Sequence, residues 1–107
     1  TYIRVQNKEE VRRRDAVEAA GVRVERLELE DNISKLYGYI EECLTGREKK
    51  IIRLRYGVPE QASQKERPEV TQREIAKKMG ISRSYVSRIE KKALQKLRKA
   101  YEKGELI

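Results

Sequence analysis

The sequence predicts an all-α fold: a small helical domain with a C-terminal helix-turn-helix, plus an N-terminal arm or helix that can include a short extended segment. Two patterns indicate this fold. Apolar residues recur at steps of three and four along most of the chain, and helix-capping residues alternate with glycines at helix-length intervals. Because only 37% of the 107 residues are apolar and Phe and Trp are absent, we expect a core of Leu, Ile and Val on short amphipathic helices.

Residues 1–32 are predicted to form an N-terminal extension whose role the sequence does not indicate. Residues 2–5 alternate weakly, as in a short strand or an arm. Asn7 can cap a helix over residues 8–20, but the apolar stripe of that helix is thin, so we expect it to be exposed or docked on another protein. The apolar spacing over residues 22–29 fits a strand and a helix equally well.

Residues 33–107 are predicted to form the main domain, which opens with two helices. Asp31 or Asn32 can cap the first of them. Its apolar face follows steps of three and four: Ile33, Leu36, Tyr37, Ile40 and Leu44. The second helix, over residues 47–56, is expected to begin at a capping box formed by Thr45 with the glutamate three positions on. It is expected to stop at the glycine that follows.

A loop and two further helices complete the predicted domain. Residues 58–70 contain both prolines of the chain and no apolar period, which predicts a surface loop. At about a dozen residues this loop is long for a compact domain and is a candidate for a mobile or functional segment. Thr71 opens a capping box for a helix over residues 72–79, and Ser82 caps the last helix, over residues 83–103.

The last two helices meet the requirements of a helix-turn-helix. Ala76 supplies the small residue needed where the first helix crosses the second, and Gly80 tolerates the positive φ of a tight turn. Apolar residues lie where the helices must interlock: Ile75, Met79, Ile81, Val86 and Ile89. The same spacing leaves outward-facing residues on the first turns of the second helix, the turns that a recognition helix places in the major groove. They are Arg83, Ser84, Tyr85, Ser87 and Arg88.

The charge distribution predicts a polyanionic partner. Residues 1–44 carry 8 Lys and Arg against 10 Asp and Glu, a net charge of −2, whereas residues 45–107 carry 18 against 8, a net charge of +10. A strongly basic half without catalytic apparatus is typical of nucleic-acid binding. We therefore expect a nucleic acid as a partner, with a solvated Lys-rich helical surface as the alternative. The helix-turn-helix specifies double-stranded DNA as the expected partner.

The composition also excludes several classes of function. The chain has no His and a single cysteine, Cys43, which argues against a metal site, a disulfide framework and His-dependent catalysis. Without a Gly-rich phosphate loop or paired carboxylates, we expect no enzyme activity, no catalytic residue, no cofactor and no small-molecule substrate. No apolar run approaches the length of a membrane span. An unpaired cysteine fits a reducing cytoplasm, and we expect Cys43 to pack as a small hydrophobic residue.

Two segments together carry a family resemblance. They are LTGREKKIIRLRYGV (residues 44–58) and, after the loop, TQREIAKKMGISRSYVSRIEKKALQKLRK (residues 71–99). They resemble region 4 of the bacterial sigma-70 family of transcription initiation factors, above all the sporulation sigma-K and sigma-E types, over roughly residues 33–103. A helix-turn-helix occurs in many regulators, so it is the preceding REKKIIRLRYG helix that makes the resemblance specific.

The resemblance implies sequence-specific binding to the −35 element of promoters, with the flap of the RNA polymerase β subunit as a protein partner. It assigns base reading to five residues: Arg83, Ser84, Tyr85, Ser87 and Arg88. It assigns phosphate contacts, which set register and affinity, to Arg47, Arg55, Thr71, Gln72, Arg73 and Lys92. Ile51, Ile52 and Leu54 are candidates for the polymerase contact, with ordinary core packing as the alternative. Six further basic residues of the last two helices are expected to form a solvated face: Lys77, Lys78, Lys96, Arg98, Lys99 and Lys103.

The chain departs from the family pattern in two respects. The loop over residues 58–70 is longer than the usual connector, which could shift Arg47 and Arg55 relative to the last helix, and residues 1–30 match no other sigma region. We therefore expect either a fragment of a sigma factor or a stand-alone regulator of phage or mobile-element type.

Two other functions compete with promoter reading. One is a regulator that dimerises or binds a protein partner through residues 1–44 and reads a two-fold operator. The other is an interaction module held by an anti-sigma or other protein partner. A cytoplasmic, nucleoid-associated location is expected, with no membrane partner.

Overall fold

Five α-helices form the part of the chain that the computed structural model describes, namely residues 8–21, 29–61, 63–65 and 67–104. They are α1 (Lys8–Ala19), α2 (Leu29–Cys43), α3 (Gly46–Tyr56), α4 (Gln72–Met79) and α5 (Arg83–Lys103). These residues contain no strand, and the predicted all-α fold with a C-terminal helix-turn-helix is confirmed. The alternating residues 2–5, the Asn7 cap and most of the ambiguous segment 22–29 lie outside the described residues.

Three of the predicted helix starts are confirmed in detail. The Thr45 side chain accepts a hydrogen bond from the Glu48 backbone N–H, and Glu48 Oε1 accepts one from the Thr45 N–H at 2.9 Å. Thr71 and Glu74 form the same reciprocal box at the start of α4. The Ser82 hydroxyl accepts the Tyr85 N–H at 3.1 Å. These caps satisfy backbone donors that have no partner within the helix.

The predicted start of α2 is wrong. This helix begins at Leu29, so Asp31 and Asn32 lie inside it and neither is its cap. Asn32 is buried, and its backbone carbonyl accepts a hydrogen bond from the Tyr101 hydroxyl of α5 at 2.7 Å. Helix α2 therefore starts before the residues that were predicted to cap it, and a contact with α5 holds Asn32 inside the helix.

Replacing Thr71 with alanine is expected to lower the free energy of unfolding by about 1 kcal/mol, because one backbone N–H of α4 loses its acceptor. Chemical denaturation measures this loss. Thr71→Ser retains the hydroxyl and should restore most of the stability, so equal destabilisation by both variants would contradict a capping role.

Two apolar cores lie on different sides of α3. The first joins α1, α2, α3 and α5, and its largest fully buried side chains include Leu36, Tyr39, Ile40, Ile52 and Leu97. The second joins α3, α4 and α5 and consists of Ile51, Ile75, Ala76 and Val86, with Met79, Ile81 and Ile89 packed against it. The interlocking residues predicted for the helix-turn-helix all belong to this second core. Because α3 and α5 contribute to both cores, the helix-turn-helix is held rigidly on the rest of the domain.

Helix α1 docks within the chain. Ala16, Val17 and Ala20 have relative exposures of 2%, 0% and 1% and belong to the first core. The expectation that this helix is exposed or docked on another protein is therefore wrong for its C-terminal turns. Small side chains allow a close approach between helices, which explains how so thin an apolar stripe is buried.

The ends of the long loop are held together by the backbone. The Arg67 N–H donates to the Gly57 carbonyl at 3.2 Å, and the Val70 N–H donates to the Leu54 carbonyl at 2.9 Å. Val58 is buried in the first core. The start of α4 is therefore fixed beside the end of α3.

Candidate nucleic-acid interface

The first two turns of α5 present the predicted base-reading face. Arg83, Ser84, Tyr85, Ser87 and Arg88 are all exposed. Val86, on the opposite side of the same turns, has 0% exposure in the second core, and Ile89 packs against that core. Burial of one side thus leaves the other side free to enter a groove of DNA.

A tyrosine between two arginines joins α3 to this face. Arg47 donates from Nη1 to the Tyr85 hydroxyl at 3.2 Å, and its Cζ lies 5.6 Å from the centre of the Tyr85 ring. Arg88 Cζ lies 5.8 Å from the same ring. These are cation–π distances. The Tyr85 ring, which retains 39% exposure, therefore orients a guanidinium from each of two helices on one surface.

The N-terminus of α4 forms a second part of the interface. Arg55, Thr71, Gln72, Arg73 and Arg83 line a surface groove of about 370 Å³, which we call the α4 groove. Backbone N–H groups at a helix N-terminus and the helix dipole both favour an anion. Gln72 and Arg83 also line a neighbouring depression with Ser84, Ser87 and Arg88, so the α4 groove and the base-reading face are continuous.

Lys92 extends the basic surface along α5. It is exposed and lines a groove of about 430 Å³ together with Arg47, Tyr85 and Arg88. The structure thus brings all six predicted phosphate-contact residues into two grooves that flank the base-reading face. Arg47 also contacts that face directly through Tyr85. Arg47 and Arg55 both contact residues of α5 directly.

Lys96 is not part of a freely solvated face. Its Nζ donates to Glu48 Oε1 at 3.0 Å, which ties α5 to the capping box of α3. Burial raises the pKa of Glu48, but hydrogen bonds from the Thr45 N–H and from Lys96, together with the Lys96 charge, outweigh burial and leave the pKa below its usual value. Glu48 is therefore a carboxylate that positions α3 on α5.

Sequence reasoning missed Glu90, the buried acidic residue of α5. It is only 7% exposed and accepts three hydrogen bonds: from Arg55 Nε at 3.2 Å, from the Tyr56 hydroxyl at 3.0 Å and from Gln72 Nε2 at 2.8 Å. The sequence did contain a signal, because Glu90 is one of only 2 acidic residues in a segment, residues 82–103, that holds 8 basic ones. Its partners were not predictable, because they belong to other helices.

The three candidates for the polymerase contact differ in exposure. Ile51 and Ile52 have 0% exposure, so their side chains present no surface to a partner and are core residues. Leu54 is half-buried and packs against the second core. Of the three, only Leu54 has side-chain surface at which a partner could bind.

No group of three or more His, Cys, Asp or Glu side chains is arranged to hold a metal ion within the described part of the chain. The described helices are also too short or too polar to cross a membrane.

Known proteins share the segment that builds this interface. Residues 42–99 match the family described as "Sigma-70, region 4". The chain is 46% identical to the RNA polymerase sigma-K factor of Bacillus subtilis and 47% identical to the RNA polymerase sigma-28 factor of Bacillus thuringiensis subsp. kurstaki. Each of these matches extends over 74 residues, which is 69% of this chain and 23% and 28% of those proteins.

A third relative is the RNA polymerase sigma-E factor of Clostridium acetobutylicum, at 43% identity over 60 residues, 56% of this chain and 23% of that protein. The chain thus spans about a quarter of the length of these relatives. No solved structure matches it significantly.

Proposed function

The chain belongs to the sigma-70 region 4 family, and from this premise we propose that it binds promoter DNA sequence-specifically at a −35-like element during transcription initiation. The predicted resemblance to this family is confirmed over residues 42–99. The observation that best supports the function is the exposed face of α5 formed by Arg83, Ser84, Tyr85, Ser87 and Arg88, flanked by two basic grooves. A protein of this kind acts without catalysis, in the cytoplasm at the nucleoid.

Arg83 and Arg88 are the principal base readers in this proposal. A guanidinium at a groove-facing position can donate two hydrogen bonds to guanine O6 and N7, and each such pair contributes about 1–3 kcal/mol of discrimination. Ser84 and Ser87 are short and can hydrogen-bond a base edge or a phosphate. Tyr85 offers an apolar ring edge for a thymine methyl group, in addition to orienting the two arginines that flank it.

The phosphate contacts fix the position of α5 in the major groove. Arg55, Thr71, Gln72 and Arg73 place a phosphate in the α4 groove at the helix N-terminus, and Arg47 and Lys92 hold the backbone on the other side of the base-reading face. Contacts of this kind determine affinity and its dependence on salt, since each neutralised phosphate releases counterions.

RNA polymerase is the proposed protein partner, with the β-subunit flap as its contact. Leu54 is the candidate contact residue, because it alone of the three predicted residues keeps exposed surface. An anti-sigma protein that covers the basic face would compete with DNA for the same arginines.

The proposal is tested by selecting bound sequences from a pool of duplexes with a randomised segment, then titrating the selected and scrambled duplexes at several salt concentrations. Wild-type protein is expected to prefer the selected duplex. Arg88→Ala should lower affinity for it by about 5- to 160-fold, which corresponds to about 1–3 kcal/mol, while salt-sensitive binding to scrambled DNA persists.

Arg98→Ala is the matched control, because Arg98 is an exposed arginine of the same helix, paired with Glu102 beyond the proposed interface. It removes the same charge and should leave the preference intact. Equal binding of the selected and scrambled duplexes by the wild type would overturn the proposed function. Equal losses in the two variants would overturn the assignment of Arg88 as a base reader.

A further inference from the structure

The carboxylate of Glu90 joins three helices beneath the proposed interface. Its Oε1 accepts hydrogen bonds from Arg55 of α3 and from Gln72 of α4, and its Oε2 accepts one from Tyr56 of α3. The carboxylate itself lies in α5, and its side chain is only 9% exposed. Glu90 is too buried to touch DNA, yet two of its three partners line the α4 groove.

A buried carboxylate requires donors, and this requirement determines where its partners lie. A carboxylate accepts hydrogen bonds and donates none, and burial of its charge is tolerated only when it is paired and hydrogen-bonded. Arg55 supplies a charge-assisted bond through Nε, which leaves its two terminal amino groups for an anion in the groove. Gln72 uses an N–H of its side-chain amide in the same way and keeps its second N–H.

Tyr56 is held as a permanent donor in this network. Its burial, followed by the charge of Glu90 and the hydrogen bond to it, raises the pKa of Tyr56 far above the usual value, so the hydroxyl stays protonated. Arg55 also lies over the Tyr56 ring, with Cζ 5.8 Å from its centre. The guanidinium is therefore held from two directions, by the Glu90 carboxylate and by the Tyr56 ring.

We propose that Glu90 is a positioning residue for DNA binding: it holds the side chains of Arg55 and Gln72 in the α4 groove, in the orientation that grips one phosphate. This role rests on the proposed function. Free arginine and glutamine side chains lose rotamer entropy when they bind, and Glu90 reduces that loss by ordering them beforehand. An acidic residue on a DNA-binding helix thereby strengthens binding to an anion.

The sign of the effect separates positioning from simple electrostatics. Glu90→Gln and Glu102→Gln each remove one negative charge from α5. Long-range electrostatics alone predicts that both variants bind DNA as tightly as the wild type or more tightly. Positioning predicts that Glu90→Gln binds the selected duplex about tenfold more weakly, whereas Glu102→Gln, at an exposed pair with Arg98, does not weaken binding.

The experiment measures affinity for the selected duplex as a function of salt for the wild type and both variants, with thermal melting to show that each is folded. Loss of one ordered phosphate contact should make the salt slope of Glu90→Gln shallower by about 0.9. Arg55→Ala should weaken binding strongly in the wild type and much less in the Glu90→Gln background, since the two residues act through one contact.

Each outcome supports or contradicts the positioning role of Glu90. Affinity of Glu90→Gln equal to that of Glu102→Gln, with an unchanged salt slope, would overturn the positioning role, and so would additive effects of Arg55→Ala and Glu90→Gln. In both cases the proposed function would stand, because the wild type would still prefer the selected duplex. A wild type without that preference would remove the proposed function and this role together.

A second variant covers the case in which Glu90→Gln does not fold at the temperature of measurement. Tyr56→Phe removes a single donor to Glu90 without changing the shape of the ring, and Tyr56 has no proposed DNA contact. It is expected to weaken binding to the selected duplex two- to threefold. A lowered melting temperature with unchanged affinity would instead show that the network is structural only, and would overturn the role.

Discussion

Replacing Gly57 with alanine should lower the free energy of unfolding by about 2–5 kcal/mol, a large share of the about 5–15 kcal/mol by which a typical domain is stable. Gly57 ends α3 with a φ of 66°, and an L residue in this left-handed conformation costs about 1–2 kcal/mol. A Cβ at this position would also collide with the carbonyl oxygen of Arg67. Such overpacking adds about 1–3 kcal/mol. Chemical denaturation of the variant measures the sum.

Gly80→Ala is the matched control for this prediction. Gly80 ends α4 with a similar φ of 69°, but a Cβ there meets no atom within 4 Å. The control should therefore show the left-handed cost alone, about 1–2 kcal/mol. The difference between the two losses of stability measures the free-energy cost of placing a Cβ at position 57 against the loop. Equal losses would show that the loop moves away at no cost and does not hold α4 in place.

Ile52→Ala and Ile51→Ala should each lower the free energy of unfolding by about 2–5 kcal/mol, because each removes a fully buried side chain from a packed core. Ile52 belongs to the first core and Ile51 to the second. The two adjacent residues thus hold α3 against different parts of the domain. Denaturant titration of both variants gives the losses.

Leu54→Ala provides the comparison within the same helix. Leu54 is only half-buried, so its truncation should destabilise the domain by less than either isoleucine variant. Retained stability in Ile52→Ala, combined with loss of RNA polymerase binding, would show that the side chain serves a partner rather than the core. That pattern is instead expected of Leu54→Ala, whose larger effect should be on polymerase binding.

Helix starts and stops were predictable because their chemistry is local. Thr45, Thr71 and Ser82 each satisfy a backbone donor three residues away, and Gly57 and Gly80 end helices through their own φ angles. The same locality explains why the outward face of α5 was predicted correctly, since helical periodicity alone separates Val86 from its exposed neighbours. The start of α2 was predicted wrongly because a local capping signal was overridden by contacts with α5.

Partnerships between side chains of different helices were not predictable. Arg47 and Tyr85 are 38 positions apart, Arg55 and Glu90 35, and Glu48 and Lys96 48. Each contact depends on the angle and distance at which two helices pack, and those are set by the shapes of all the buried side chains between them.

The sequence by itself determined what depends on local chemistry: the caps of α3, α4 and α5, the apolar faces of these helices, the exposed basic face of α5 and the family to which residues 42–99 belong. Only the tertiary structure decided that α1 belongs to the core, that the long loop leaves α3 beside α4, and that Glu90 gathers Arg55 and Gln72 under the α4 groove. The physical reason is the distance along the chain over which each interaction acts. Capping and periodicity act over three or four residues, whereas a buried carboxylate takes its donors from whichever helices the packing of the core brings within 3 Å or so of it.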